Sequence, residues 1–341
     1  MLNTIYRLVK PRNFEIEFEE IDLNDDVVIV RPSFLSICNA DQRYYQGKRA
    51  PEVLKKKLPM ALIHEAVGEV VYDSREEFDV GKKVVMIPNT PFEKDSVIAE
   101  NYLRSSKFRA SGFDGFMQDN VAMRRDRLIE LPDNIDLRVG AFIEIISVSY
   151  HTVQRFLKFS HRRKDSIAIW GDGNLAFLVS IILKHELPDV KLYIMGIHDD
   201  KMAGFVFAED TFHVNEIPEN MTFDHAFECV GGQGCEMADN QIIDYIRPEG
   251  SIALMGVSEN RVPLNTRMVL EKGLKIFGSS RSGYEDFKNT VEFLSQNDKA
   301  AQLVANLIDS VIDVRSVEDM NRAFESDIKK AGGKTIMKWN V

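Results

Sequence analysis

The sequence predicts an α/β protein in which a doubly wound, parallel, six-stranded sheet is inserted into a mostly β domain. Three observations carry this. From about Asp165, short apolar runs alternate with helix-like segments, a pattern that needs crossover helices and a parallel sheet. Before about residue 147 the runs are short, alternating or β-branched, and are broken by Gly, Pro and Asn. After Gly283 the chain becomes helical and charged and then ends in an apolar strand. A chain of 341 residues is long enough for two domains. The bounds that follow are 1–147 completed by 284–341 for the first domain, and 148–283 for the second.

In the first domain, Asp26–Arg31, Ala66–Tyr72 and Lys82–Ile87 read as strands. In the second, the six strands are Ser166–Trp170, Val190–Met195, Thr211–Val214, Phe223–Val230, Gly250–Val257 and Leu274–Ser279. The helix after the first of them, Leu175–His185, is apolar nearly all round, which predicts that it is sandwiched rather than lying on the surface. Tyr284–Asn297 and Ser316–Asp327 read as helices, and Lys334–Trp339 as a strand that returns to the first domain.

Composition removes several classes of function. The formal charge of −10 repels phosphate backbones, so nucleic acid is not a predicted partner. Apolar stretches such as Ala176–Val179 and Ile252–Met255 are far shorter than the roughly 20 residues of a spanning helix, so no membrane is predicted either. Met1–Phe14 mixes Arg7, Lys10 and Arg12 into any candidate leader, which gives a cytoplasmic expectation. Cys38, Cys229 and Cys235 cannot form a disulfide framework in a chain of this length, so each is either apolar filler or chemistry.

The first chemical signal is Gly171-Asp-Gly173-Asn174-Leu175-Ala176, a G-x-G-x-x-A turn between a predicted strand and helix. Gly171 permits the tight turn, Gly173 lets backbone approach a pyrophosphate, and Ala176 allows close packing of helix on strand. Short glycine turns also occur without ligand, so the second strand matters. The residue that reads the adenosine ribose, roughly 20 residues on, is Gly196, followed by His198 and Lys201. An acid there would reject a 2′-phosphate, whereas glycine with nearby cations favours NADP(H) over NAD(H). Asp199 or Asp200 standing in for the missing acid is the competing reading.

The second signal is a set of metal donors. Cys38 and, further on, His64-Glu65 offer thiolate, imidazole and carboxylate, three credible zinc ligands, and Asp41 offers a carboxylate to orient a histidine. Taken alone, Cys38 is as well read as a buried hydrophobe and His64 as a core histidine; the glycine turn downstream shifts the balance.

The series Cys-x-x-Asp, His-Glu-x-x-Gly-x-Val, Gly115-Phe-Met-Gln-Asp, Ala141-Phe-Ile-Glu144 with Ser149-Tyr-His151, G-x-G-x-x-A and Phe227-Glu-Cys-Val-Gly231 resembles the zinc-dependent medium-chain alcohol and polyol dehydrogenases over nearly the whole chain. Ser36–Tyr45, Ile169–Asn174 and Asp224–Gly232 resemble more particularly the ribulose-5-phosphate reductases (ribitol-5-phosphate dehydrogenases) of teichoic acid and ribitol-capsule synthesis. The resemblance implies a Rossmann sheet inserted in a GroES-like catalytic domain, NADPH, and one catalytic zinc held by Cys38, His64 and Glu65 with Glu144 in or beside the shell. It also implies a homodimer and a functional pairing with a cytidylyltransferase, which activates ribitol 5-phosphate as CDP-ribitol.

Two departures from the family carry physical content. Pro88–Gly112, where many members carry four cysteines for a structural zinc, has none, so only the catalytic ion is expected. Ala40 stands where many members have a hydroxyl that relays the proton, so protonation must pass through water held by Glu144 or Glu65. Charge counting limits Glu144 further. With Cys38, Glu65 and Glu144 all anionic, a divalent ion carries a net negative shell and is a poor Lewis acid. The expectation is therefore an exchange in which Glu144 yields its place when a carbonyl arrives.

Dinucleotide folds put the nicotinamide over the later strands, so Cys229, Val230, Gly256, Val257 and Ser279 are expected near the ring, at a cleft between domains. Arg43, Lys48, Arg49 and Arg281 are the candidates for a substrate phosphate, with no spacing argument to choose among them. His151 shares a helix face with Glu144 or packs in the core. The competing readings are an NAD-dependent dehydrogenase of an unphosphorylated polyol, and a dinucleotide-binding protein without catalysis.

Overall fold

A computed structural model describes residues 1–341. The chain forms two compact units, Met1–Ser147 with Arg281–Val341, and Val148–Ser280. The second boundary falls three residues before the one read from the sequence.

The first unit is built on a sheet with the order 128–130, 83–86, 65–73, 28–36, 334–339, 308–314, and a three-stranded sheet of 13–20, 2–10 and 60–61. Its register matters for function. Strand Val28–Ser36 is central, and it pairs antiparallel with Glu65–Asp73, Ser36 opposite Glu65, and with Lys334–Trp339, Ser36 opposite Ile336. The C-terminal tail thus supplies an interior strand, and helix Val317–Lys329 completes the core: Phe324 stacks on Tyr45 at 4.6 Å between ring centroids. That contact, with a hydrogen bond from Gln42 Nε2 to the Phe324 carbonyl (2.9 Å), anchors helix Asn39–Tyr45. No cysteine ties the 89–112 region; Glu100 does so, accepting from Arg127 (2.7 Å) and from the Tyr284 N–H (2.8 Å).

The second unit is a six-stranded parallel sheet: Ser166–Trp170, Lys191–Gly196, Asp210–His213, Phe223–Glu228, Ile246–Leu254 and Lys275–Gly278, in the order third, second, first, fourth, fifth, sixth. The first strand is central and apolar, with Ile167–Trp170 fully buried, as a strand covered on both faces must be. Helix Asn174–Glu186 buries every residue from Ala176 to Leu183, so its all-round apolarity is accounted for. No helix in the protein is long and apolar enough to cross a membrane.

Two strands stop earlier than the apolar pattern suggests. Phe223–Glu228 was expected to run to Val230 and the fifth strand to Val257, but both end at a single carboxylate. Glu228, buried, accepts from the N–H groups of Val230 (2.7 Å), Gly231 (3.0 Å) and Gly256 (2.7 Å), donors that would otherwise continue the ladder. Periodicity cannot register such an interruption.

Candidate active site

Asp41 organises the site. It is the third residue of helix Asn39–Tyr45, and its Oδ2 accepts from the N–H of the N-cap residue Cys38 (3.3 Å). Its Oδ1 accepts from the Ile63 N–H (3.0 Å) and lies 3.5 Å from His64 Nδ1. One buried carboxylate therefore holds the Cys38 backbone and stands beside the His64 imidazole, where it orients the ring. Ile63 has φ 71°, a genuine outlier for a β-branched residue. It is held by Asp41 and by the Phe116 N–H, which donates to its carbonyl (2.8 Å).

Glu65 begins the next strand. Its Oε2 accepts from Ser36 Oγ (2.7 Å) and from Lys334 Nζ (2.7 Å), and Lys334 also donates to the Ile37 carbonyl (3.0 Å). Its other oxygen, Oε1, is buried and has no hydrogen-bond partner. The Cys38 sulfur, a His64 ring nitrogen and a Glu65 carboxylate oxygen lie within 4.8 Å of one another. An unpartnered carboxylate oxygen beside a thiol and an imidazole suits a divalent ion, and this mixed S, N, O donor set suits zinc rather than magnesium or calcium.

The electrostatics agree. Burial and the Glu65 carboxylate push the Cys38 thiol up, against the pull of His64. Burial opposes the His64 charge, but Asp41 and Cys38 outweigh it and hold the imidazole well above its ordinary value. The site is a concentration of negative potential that holds protons where a cation would sit.

Glu144, in the first turn of helix Ile143–Phe159, is buried but stands outside the three-atom cluster. Burial pushes its carboxyl up to about 7; His64 opposes this and Glu65 adds to it. Of the four expected ligands, then, the structure brings three together and sets Glu144 apart from them as a buried carboxyl whose pKa is raised.

Sequence reasoning missed Lys334 altogether. Lys334 is 2% exposed; burial opposes its ammonium, but the charges of Glu65 and Cys38 outweigh burial and keep it a counter-charge. It corrects the earlier charge count: with Lys334 included, even an ionised Glu144 leaves the divalent centre near neutral. The only sequence signal was a lysine opening the apolar run Thr335-Ile-Met-Lys-Trp. Ser36 and Phe108 were missed as well; the Phe108 ring lies 5.3 Å from that of His64.

In the second unit, the turn residues and the expected ring neighbours all fall at the carboxyl ends of the parallel strands, where ligands bind in such sheets. Gly171 has φ 125°, and a Cβ there would meet the Cys229 carbonyl oxygen at 2.9 Å. At Gly173 a Cβ would meet nothing within 4 Å, so protein packing does not require that glycine. Asn174 and Leu175 open the helix that follows, with Ala176 buried. Val230 and Val257 are exposed, Cys229 partly so, whereas the Ser279 hydroxyl is buried and bonded to Thr152 (2.8 Å).

Gly196 requires a correction. A side chain there would strike Met202 Sδ (2.7 Å) and Asp172 Cβ (2.9 Å), so the glycine makes room for protein and not for a 2′-phosphate. Asp172, unassigned from sequence although it lies inside the glycine turn, accepts from the N–H groups of Ile197 (2.8 Å) and His198 (2.9 Å) and pairs with His198 Nδ1 (2.9 Å). Asp199 and Asp200 are exposed on the short helix Asp199–Met202, with Lys201 half-buried and Met202 buried. The carboxylate at the end of the second strand therefore comes from residue 172.

A glycine turn on a parallel sheet in one unit and a Cys-His-Glu cluster in the other define a dehydrogenase of the metal-dependent kind. Residues 24–133 match the family model of the alcohol dehydrogenase GroES-like domain, and residues 203–296 that of the zinc-binding dehydrogenases. The chain belongs to the zinc-dependent medium-chain alcohol dehydrogenase family and is an oxidoreductase of that type. It is 53% identical to ribulose-5-phosphate reductase 1 of Staphylococcus aureus, over 99% of each chain. It is 50% identical to the ribulose-5-phosphate reductase of Bacillus spizizenii, over 100% of each. The crystal structure of S. aureus TarJ in complex with NADPH superposes with a TM-score of 0.90 at 48% identity, covering 100% of both chains.

Proposed function

We propose that the protein reduces the ketone of ribulose 5-phosphate to ribitol 5-phosphate, with NADPH as hydride donor and one zinc ion held by Cys38, His64 and Glu65. The observation that carries this is the buried, unpartnered Glu65 Oε1 beside Cys38 and His64. It lies in a chain about half identical, end to end, to enzymes named for that reaction. Zinc, when bound, supplies a Lewis acid for the carbonyl oxygen, and NADPH supplies the hydride.

The protein's own residues do the rest. Asp41 holds Cys38 and the His64 tautomer; Ser36 and Lys334 occupy one Glu65 oxygen and leave the other for the metal. The product alkoxide needs one proton. Glu144, with its carboxyl pushed up to about 7, holds one in the absence of the hydroxyl relay that Ala40 removes. The Gly171–Ala176 turn holds the pyrophosphate, and His198 with Lys201 faces the 2′-phosphate.

The test is direct. Purified protein should contain about one zinc per chain and oxidise NADPH with ribulose 5-phosphate much faster than with ribulose. Equal rates with both sugars would remove the phosphate from the proposal, and full turnover by Glu144→Gln would remove the proton role. The Asp172 carboxylate beside His198 is the one observation favouring an NAD-dependent polyol dehydrogenase, so NADH is compared in the same assay.

A further inference from the structure

The structure separates the four cations considered for the substrate phosphate. Lys48 is exposed. Arg49 lies over the Tyr44 ring (5.0 Å), and Arg43 is held down by burial and by the charge of Arg49. Arg281 shares the burial of Arg43 but differs in its neighbours and its backbone. Its guanidinium lies 4.7 Å from the centre of the Phe108 ring, and that ring is 5.3 Å from the His64 imidazole, so a single aromatic side chain joins the cation to the Cys38-His64-Glu65 cluster. Burial opposes its charge, with the Glu144 carboxyl as the group that supports it. Its backbone has φ 57°, a conformation that side chains other than glycine adopt at a cost and that clusters at ligand clamps.

We propose that Arg281 is the phosphate clamp that makes the enzyme specific for a ketopentose phosphate, an inference that rests on the reductase reading above. In ribulose 5-phosphate the phosphorus is five bonds from the carbonyl carbon, about 6 Å in an extended chain at the reach per bond of covalent geometry. The imidazole and guanidinium stand at most about 10 Å apart, the two ring distances laid end to end, a separation that a chain of this length reaches with its carbonyl at the cluster and its phosphate at the guanidinium. The planar guanidinium gives two parallel donors to a phosphate dianion, and its central carbon lies over the Phe108 ring at 4.7 Å, a contact that restricts where the fork sits. The added anion also relieves the burial that opposes the Arg281 charge. In this arrangement a substrate lacking phosphate leaves the half-buried arginine without an anionic partner from the ligand, so discrimination arises in binding.

The experiment compares wild type with Arg281→Met, Arg281→Lys and Arg43→Met/Arg49→Met, all as zinc-loaded enzyme. The measurements are kcat/KM for ribulose 5-phosphate and for ribulose, and the calorimetric affinity for ribitol 5-phosphate and for ribitol without NADPH. Arg281→Met should lower the phosphate preference about 30-fold in both, the factor of a charged hydrogen-bond pair, while kcat/KM for ribulose stays within about twofold. Arg281→Lys, which keeps the charge and loses the fork, should lose a smaller part. Preference kept by both Arg281 variants, or lost instead in the Arg43/Arg49 variant, would overturn the assignment and leave the reductase reading intact. A wild type with no phosphate preference would overturn both.

Discussion

Replacing Lys334 by methionine removes the buried ammonium that lies 2.7 Å from Glu65 Oε2 and keeps most of the side-chain volume. Glu65 then stays fully buried with Ser36 as its remaining donor. Breaking one partner of a buried ion pair costs about 3 kcal/mol or more, because the surviving charge is uncompensated. In a unit of this size that lowers the apparent Tm of metal-free protein by about 7 °C. With zinc bound, the divalent charge replaces much of what the ammonium supplied, so the loss should be smaller. By linkage, the variant should then hold zinc more tightly than wild type. Thermal unfolding followed by circular dichroism, with chelator and with saturating zinc, reads both quantities, and a zinc-competition titration checks the affinity. Adding Glu65→Gln should recover part of the metal-free stability, since the two sites share one interaction. A Tm change under about 2 °C in metal-free protein, or equal losses with and without zinc, would refute the reasoning.

Three further outcomes follow. Asp239 is buried, and desolvation with the Glu228 charge pushes its carboxyl up to about 6. The folded state therefore binds this proton more tightly than the unfolded chain, so stability is lost as pH rises from near 4 through about 6 and stays lost above it. Asp239→Asn should raise stability by about 2 kcal/mol at pH 8 and change it little at pH 4, and an equal gain at both values would contradict this cause. A Cβ at Gly115 would lie 2.3 Å from the carbonyl oxygens of Leu62 and Ile63, immediately before His64. Gly115→Ala should cost about 2 kcal/mol or more and lower the zinc stoichiometry, and normal metal content would show that the loop yields without moving the imidazole. Glu228→Gln cannot accept from all three N–H groups that the carboxylate now satisfies. It should raise KM for NADPH about tenfold, as one unpaired buried donor would, with zinc content unchanged; the reverse pattern would place Glu228 outside cofactor binding.

The sequence by itself determined the six strands of the parallel sheet, the glycine turn, the burial of helix Asn174–Glu186 and the donor types of the metal cluster. These are local properties: periodicity, the missing Cβ at Gly171 and Gly173, and side-chain chemistry can be read within a few residues. Tertiary structure decided the rest, because each remaining feature depends on contacts between distant segments. Lys334 reaches Ile37 across 297 residues and sets the charge of the site, which the donor list alone left too negative. Met202 and Asp172 fill the space beside Gly196 that the chain pattern left open, and Glu228 ends two strands by taking their N–H groups. The raised pKa of Glu144 is of the same kind: it follows from burial with the charges of His64, Glu65 and Lys334 around it, and no run of letters around residue 144 encodes it.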